Sequence, residues 1–282
     1  LDLYRTFAEE VLALPVVAGR KSPSEKFAGA VTTYTIEAMM QDGKALQAGT
    51  SHDLGQTFSK AFGTRFQTAE KGLEYPWQTS WGVSTRLVGA VVMAHGDDRG
   101  LVLPPAVAPH EVVVVPIWRD EGQRAAVAEG AALIARLLSG QRVHVDGRPE
   151  HKPGWKFFHW ESRGVPLRIE VGPRDIEKRE AVLVRRDTGE KRTVALDALA
   201  RHAGSALAEV QAALLARARA ERDRRTAPVG TMADLARFLD AAGGFAWAPW
   251  CGGPACEGEV KSETKATNRC LKEKPRGGAC LV

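Results

Sequence analysis

Apolar residues return at one-turn spacing in Leu3, Phe7, Val11 and Leu14, which predicts a short amphipathic helix over residues 1–14. Pro15 to Gly19 reads as a strand or loop. The run Thr32-Thr33-Tyr34-Thr35-Ile36-Glu37-Ala38 alternates, and predicts an extended segment with polar side chains on one side. Gly43 to Phe58 reads as a strand entering a helix, and Glu70 to Tyr75 as a polar loop between strands. From Thr79 to Pro105 the pattern changes within a single stretch. A strand ending at Ser84 gives way to a helix in which Leu87, Val88, Val91, Val92 and Ala94 recur one turn apart, then to a charged turn and an extended exit. Ser84 and Thr85 can cap this helix and Gly96 can end it, so one helical face should be buried.

Beyond Pro105 the character shifts. Glu111 to Ile117 is a continuous apolar run of the kind found in parallel strands covered on both faces. The pattern then predicts a helix over 121–138, a strand over 142–145, a helix around 155–163, a strand over 165–171 and a hairpin turning at Asp187-Thr188-Gly189-Glu190. Strands alternating with helices imply βαβ units and a mostly parallel sheet. A long helix over 196–225 ends in Arg217, Arg219, Arg222, Arg224 and Arg225; such a run is usually a solvated face, though it can also track phosphates.

Composition narrows the class. With 282 residues, 44% of them hydrophobic, the chain can form two or more domains with their own cores. No apolar run approaches the roughly 20 residues needed to span a bilayer, and no charged-then-apolar leader is seen, so a cytoplasmic protein is the expectation. The formal charge of +5 is compatible with a polyanionic partner without demanding one. All four cysteines lie from Cys251 onward, which favours a local metal site over a disulfide framework. Because the chain starts at Leu1 inside an amphipathic pattern and stops at Val282, it reads as a fragment.

Several side chains carry two readings from the residues alone. Arg86, in the first turn of its helix, can reach an anionic ligand or form a surface ion pair. Glu37 is an exposed strand position, or a buried carboxylate that needs a partner. His52 is a helix N-terminal residue or a ligand, and Trp77 and Trp81 read as core packing. Cys251 and Cys256, five positions apart, offer half of a tetrahedral thiolate site, with Cys270 and Cys280 following.

The strings Trp81-Gly82-Val83-Ser84-Thr85-Arg86 and His95-Gly96-Asp97-Asp98-Arg99-Gly100-Leu101-Val102-Leu103-Pro104-Pro105 resemble the third signature motif of class II aminoacyl-tRNA synthetases. The form is that of prolyl-tRNA synthetases of the archaeal and eukaryotic-like type. The resemblance continues in Lys26-Phe27-Ala28-Gly29, in Leu46-Gln47-Ala48-Gly49-Thr50-Ser51-His52-Asp53-Leu54-Gly55, in Pro153-Gly154-Trp155-Lys156-Phe157, and in Gly164 to Asp175. It covers nearly the whole chain.

This resemblance implies a multidomain α/β and α+β protein. Residues 1–107 would be the C-terminal half of a class II antiparallel-sheet catalytic core, 108–205 an α/β anticodon-binding domain, and 206–282 a small, truncated zinc-binding-like domain. It implies Gln47, Ala48, Gly49, Thr50, Ser84 and Arg86 as the ATP site, with magnesium balancing the phosphates and Arg86 as the catalytic residue. Phe27, Glu37, His52 and Trp81 would shape the proline pocket. Cys251, Cys256 and Cys280 would bind structural zinc, the fourth ligand lying just beyond Val282 or being Cys270. Arg148, Lys156, Arg168 and Arg174 are candidates for RNA contacts.

The implied function is proline–tRNA ligation: L-proline is activated with ATP to prolyl-adenylate and passed to the 3′ end of tRNA(Pro) by a homodimer. The first two class II motifs are absent here, so this chain alone is expected to be incomplete for catalysis. A sister synthetase for threonine, histidine or glycine is disfavoured by the Gly-Thr-Ser-His and Gly-Asp-Asp-Arg-Gly strings. A non-catalytic tRNA-binding paralogue is the alternative from another class, and a zinc-dependent RNA-binding module leaves Gln47 to Arg86 without a role.

Overall fold

The computed structural model describes residues 1–241, 243–272 and 279–282; the remainder falls inside the expected third domain and outside the described residues. The chain divides into two units, one comprising Leu1–Glu9, Leu14–Ala90 and Arg219–Val282, the other Glu10–Ala13 and Val91–Ala218.

In the first unit the predicted opening helix is shorter than its apolar spacing suggests. Helix α1 spans Asp2–Thr6 and passes into a π-helical turn, Phe7–Val11, closed where Leu14 N–H donates to Ala8 O at 2.8 Å. Strands β1 (Val16–Arg20), β2 (Thr32–Met39) and β3 (Ala45–Gly55) follow. After β3 come helix α2 (Thr57–Ala61) and a small hairpin of β4 (Phe66–Gln67) and β5 (Leu73–Glu74), lying within and beside the predicted loop. Strand β6 (Gln78–Gly82) then enters the main sheet. The sheet order is β1-β2-β3-β6, antiparallel throughout. A bulge interrupts β2 and β3: Ile36 faces Gly49 but Glu37 faces Gln47, which leaves Ala48 as the extra residue.

Helix α3 spans Arg86–His95. Leu87, Ala90 and Val91 are buried, as the periodicity predicts, but Val88 and Val92 are exposed, so the covered stripe is narrower than the apolar one.

The second unit has a five-stranded sheet covered by helices. Strand β7 (Val112–Pro116) is buried at every position. After it come helix α4 (Glu121–Leu137), strand β8 (Val143–Val145), helix α5 (Pro153–Ser162), strand β9 (Leu167–Val171), helix α6 (Pro173–Lys178), strands β10 (Glu180–Arg185) and β11 (Lys191–Ala195), and helix α7 (Leu199–Arg224). The strand order is β11-β10-β9-β7-β8. Here the expectation of a mostly parallel sheet needs correcting. Only the pairings of β7 with β8 and β9 are parallel; β10 pairs antiparallel with β9, because the short α6 connection turns the chain back without crossing the sheet, and with β11 through the expected Asp187–Glu190 hairpin. Ile134, Leu167, Ile169, Leu199 and Leu214 are among the fully buried side chains of its core.

The end of the chain returns to the first unit. Strands β12 (Thr226–Pro228) and β13 (Phe245–Trp247) pair in parallel, with helices α8 (Met232–Ala241) and α9 (Pro254–Thr264) beside them in sequence. Leu271 then forms an antiparallel bridge to the open edge of β1, exchanging two backbone hydrogen bonds with Arg20 of 3.1 and 2.7 Å. The protein is thus a mixed α/β multidomain chain. Among the described residues no helix is long and apolar enough to cross a membrane.

Candidate functional site

Register decides which side chains can meet on the antiparallel sheet, since directly opposed residues share a face. Thr33 faces His52, Thr35 faces Thr50 and Glu37 faces Gln47, so these six residues form one polar face. Contacts bear this out: Thr33 Oγ1 lies 2.9 Å from His52 Nδ1, and Thr35 Oγ1 donates to Glu37 Oε1 at 2.8 Å. His52 is half-buried, and burial holds its imidazole below the ordinary histidine value. Phe27 closes one side, its ring centroid 5.0 Å from that of His52. The turn carrying Phe27 needs glycine at position 29, where φ is +88° and a Cβ would stand 2.7 Å from the Phe58 ring.

Glu37 is fully buried, which resolves its two readings. Lys21, itself buried, donates to Oε1 at 2.8 Å, while Arg269 lies 3.9 Å from Oε2. A buried carboxylate is tolerable only with such partners. Oε2 has no hydrogen bond among the described residues. Glu37 therefore stands on the same face as His52, but its own ligands are cationic side chains of the chain.

Arg86 is exposed at the start of α3, and its Nη1 donates to Gln47 O at 3.1 Å. Among the described residues no carboxylate pairs with it, so it is held over the Gln47 backbone and not in a surface ion pair. Ser84 Oγ accepts from Arg86 N–H at 3.3 Å, as expected for the helix start. Ala48 and Gly49 are buried; a Cβ at Gly49 would meet Val83 at 3.0 Å and Ile36 at 3.4 Å, so packing across the sheet explains the glycine.

Trp81 is placed elsewhere. It faces Ser51, which faces Tyr34, and so lies on the opposite side of the sheet from His52. Trp77 and Trp81 are 76% and 65% exposed, not core residues.

The tail gathers Cys251, Cys256 and Cys280, whose sulfurs all lie within 4.8 Å of one another. A tetrahedral zinc–thiolate site, with Zn–S of about 2.3 Å, needs sulfurs about 3.8 Å apart. The three residues fit it. Backbone donors pull the Cys280 thiol down to about 7, while its two sulfur neighbours, Cys251 first, push Cys256 up to about 11. Cys270 sits apart, against Gly19 of β1.

In the second unit, the continuation of the Thr79–Pro105 stretch is structural. Arg186 donates to both carboxylate oxygens of Asp97, at 2.6 and 2.9 Å, and holds that carboxyl well below the usual range. Gly100, at φ +124°, leaves no room for a Cβ, which would stand 2.5 Å from Ser162 O. His95 is buried, with Nε2 3.0 Å from Leu12 O, and burial pulls its imidazole down to about 4.

Helix α5 and the loop before it carry a feature not read from the sequence. His151, Trp155 and His159, four positions apart, stack with centroid separations of 3.6 and 4.7 Å, and Arg148 lies 5.0 Å above Trp155. The spacing H-x₃-W-x₃-H was the available signal. Of the four basic candidates, Lys156 is buried, with Nζ donating to Asp146 O at 3.0 Å, and Arg168 pairs with Glu170. Arg148 is held by Asp146 yet borders the stack, and Arg174 is exposed. The basic end of α7 is largely paired: Arg219 with Glu9, Arg222 with Asp223, and Arg224 and Arg225 with Glu221.

Comparison with known proteins assigns these parts. Residues 111–202 match the family described as anticodon binding domain, and residues 232–282 the family described as prolyl-tRNA synthetase, C-terminal. The chain is 48% identical over 283 aligned positions to the proline–tRNA ligase of Natranaerobius thermophilus, covering 100% of this chain and 59% of that protein. It is 51% identical over 271 positions to that of Lachnoclostridium phytofermentans, covering 96% and 56%. The chain belongs to the prolyl-tRNA synthetase family. Another member, the proline–tRNA ligase of Rubrobacter xylanophilus, is 50% identical over 283 positions, covering 100% and 60%. The chain therefore spans a little under two thirds of the length of these curated relatives. Within the synthetase family frame, the anticodon-binding match runs from β7 into α7 and holds the aromatic stack, while the C-terminal match holds the three clustered cysteines. The antiparallel sheet with His52 and Arg86 is covered by the whole-chain relatives.

Proposed function

We propose that the protein is a proline–tRNA ligase and that this chain carries part of its catalytic and tRNA-binding apparatus. The observation that carries the reading is the convergence of Gln47, Thr50 and His52 on one sheet face, with Arg86 anchored to Gln47 O, in a chain about half identical throughout to proline–tRNA ligases. In this reading the antiparallel sheet belongs to a class II catalytic core, within a division into catalytic (1–107), anticodon-binding (108–205) and zinc-binding-like (206–282) parts.

The proline carboxylate oxygen attacks the α-phosphorus of ATP, the bond to pyrophosphate breaks, and prolyl-adenylate forms. A terminal ribose hydroxyl of tRNA(Pro) then attacks the prolyl carbonyl and releases AMP. Neither step requires a nucleophile from the protein, so its contribution is positioning and charge stabilisation. Arg86 supplies positive charge at the nucleotide. Gln47, Ala48, Gly49, Thr50 and Ser84 complete the ATP site, with Mg²⁺ balancing phosphate charge. His52, Phe27 and Glu37 border the imino acid on the polar face. Trp81 joins them only if β6 presents its ring differently when the site is filled. A zinc ion held by Cys251, Cys256 and Cys280 would tie the tail together without an open position for chemistry. The His151–Trp155–His159 stack offers aromatic faces for unpaired anticodon bases, with Arg148 alongside. A cytoplasmic homodimer belongs to the same reading.

The test is aminoacylation of tRNA(Pro) with labelled proline by the product of the complete gene. Charging lost in Arg86→Ala and His52→Ala supports the proposal. Retained tRNA binding without charging in the wild type would overturn it in favour of a non-catalytic tRNA-binding protein.

A further inference from the structure

A buried threonine beside the candidate site lies in hydrogen-bond contact with His52. Thr33 is 2% exposed, so its hydroxyl must satisfy its hydrogen bonds within the protein. Phe27 N–H donates to Thr33 Oγ1 at 3.0 Å, and His52 Nδ1 lies 2.9 Å from the same oxygen. A hydroxyl has one proton and two lone pairs. Were Nδ1 protonated, Oγ1 would accept from both neighbours and its own proton would be left in a buried site with no other acceptor among the described residues. With Nδ1 bare, Oγ1 accepts from Phe27 and donates to His52, and every group is used.

We propose that Thr33 is a positioning residue that fixes His52 as the Nε2–H tautomer, so that the ring offers one neutral donor to a carboxylate-bearing ligand on the polar sheet face. The same oxygen ties down Phe27, so a single hydroxyl orients both ring walls of the pocket, 5.0 Å apart. Lowering of the His52 pKa by burial is consistent with a neutral ring. A neutral donor suits a ligand that carries both a carboxylate and a primary or secondary ammonium centre, because a second cation would repel the latter. This ligand assignment rests on the proposed proline-activating function; the tautomer itself does not.

The experiment uses the product of the complete gene with ¹⁵N-labelled histidine. His52 is identified in two-bond proton–nitrogen spectra by its loss in His52→Gln. The expected wild-type signature is a protonated Nε2 and an unprotonated Nδ1. In Thr33→Val that signature gives way to a tautomer mixture, and the KM for proline in pyrophosphate exchange rises about tenfold with little change in kcat, the scale of one hydrogen bond. Thr33→Ser restores both, which a purely structural role of the threonine methyl would not. A wild-type His52 protonated at Nδ1, or a Thr33→Val enzyme with unchanged spectrum and KM, overturns the inference. If the tautomer is as stated but no amino acid supports exchange, the functional reading fails and the positioning role stands.

Discussion

The two halves of the Thr79–Pro105 stretch follow opposite physical rules. From Trp81 to Arg86 every residue is exposed; Ser84 caps its helix and Arg86 reaches the Gln47 carbonyl. From His95 onward the same stretch is locked: His95 is buried, Asp97 is clamped by Arg186, and Gly100 admits no side chain. One half leaves its single charged group, Arg86, exposed and without a carboxylate partner among the described residues, and the other ties Asp97 into the fold. A signature string in a sequence can therefore mix chemistry with architecture, and only partners and burial separate them.

The comparison predicts that the first half fails in activity and the second in stability. The largest expected effect is Arg86→Ala, which should lower proline-dependent exchange by a hundredfold to a thousandfold, on the order of losing one preorganised charge donor. Its melting temperature should stay close to wild type, because an exposed side chain is removed. Asp97→Asn should do the reverse. It strands the Arg186 guanidinium, whose side chain is 2% exposed, and should cost about 2–3 kcal/mol in denaturant unfolding.

The His95 imidazole sharpens the same contrast through pH. Its folded value is about 4 against an ordinary value of 6.5, lowered first by burial. Above 6.5 the ring is neutral in both states. Between 6.5 and 4 the unfolded chain takes up a proton that the folded one refuses, so stability falls as pH falls and levels off below 4. His95→Gln should remove about one proton from that dependence, measured by unfolding across this window. Asp97 adds a loss at lower pH: its depressed value stabilises the fold above the unfolded carboxylate range and is lost as the carboxyl protonates. The smallest effect lies on α3 itself. Val88→Ser, at a position 67% exposed in this chain, should change stability by under about 0.5 kcal/mol, whereas Leu87→Ala, one residue earlier and buried, should cost about 2–4 kcal/mol.

Much of this was legible in the sequence for identifiable reasons. The unbroken Val112–Val115 run announced a strand covered on both faces, and all four valines are buried. The alternation at Thr33, Thr35 and Glu37 marked one polar face, and the register confirms that they share it. Other features were hidden because periodicity carries no information about partners. Nothing local distinguishes a glutamate bound to Lys21 from an exposed one. The aromatic character of Trp77 and Trp81 suggested core, but their environment in this chain is solvent. The antiparallel pairing of β9 with β10 was hidden because the short helix α6 between them gives the same strand–helix–strand pattern as a crossover unit. Trp81 pairs with Ser51 while its neighbour Ser80 pairs with His52, so Trp81 lies on the other face, which only the register reveals.

The most direct test of the account is amino-acid-dependent exchange of pyrophosphate into ATP by the product of the complete gene, with proline set against threonine, histidine, glycine and alanine. The account predicts strong exchange with proline, weak exchange at most with close analogues, and loss of exchange in His52→Ala and Arg86→Ala. Exchange driven by a different amino acid, or proline-dependent exchange that survives both substitutions, would contradict it.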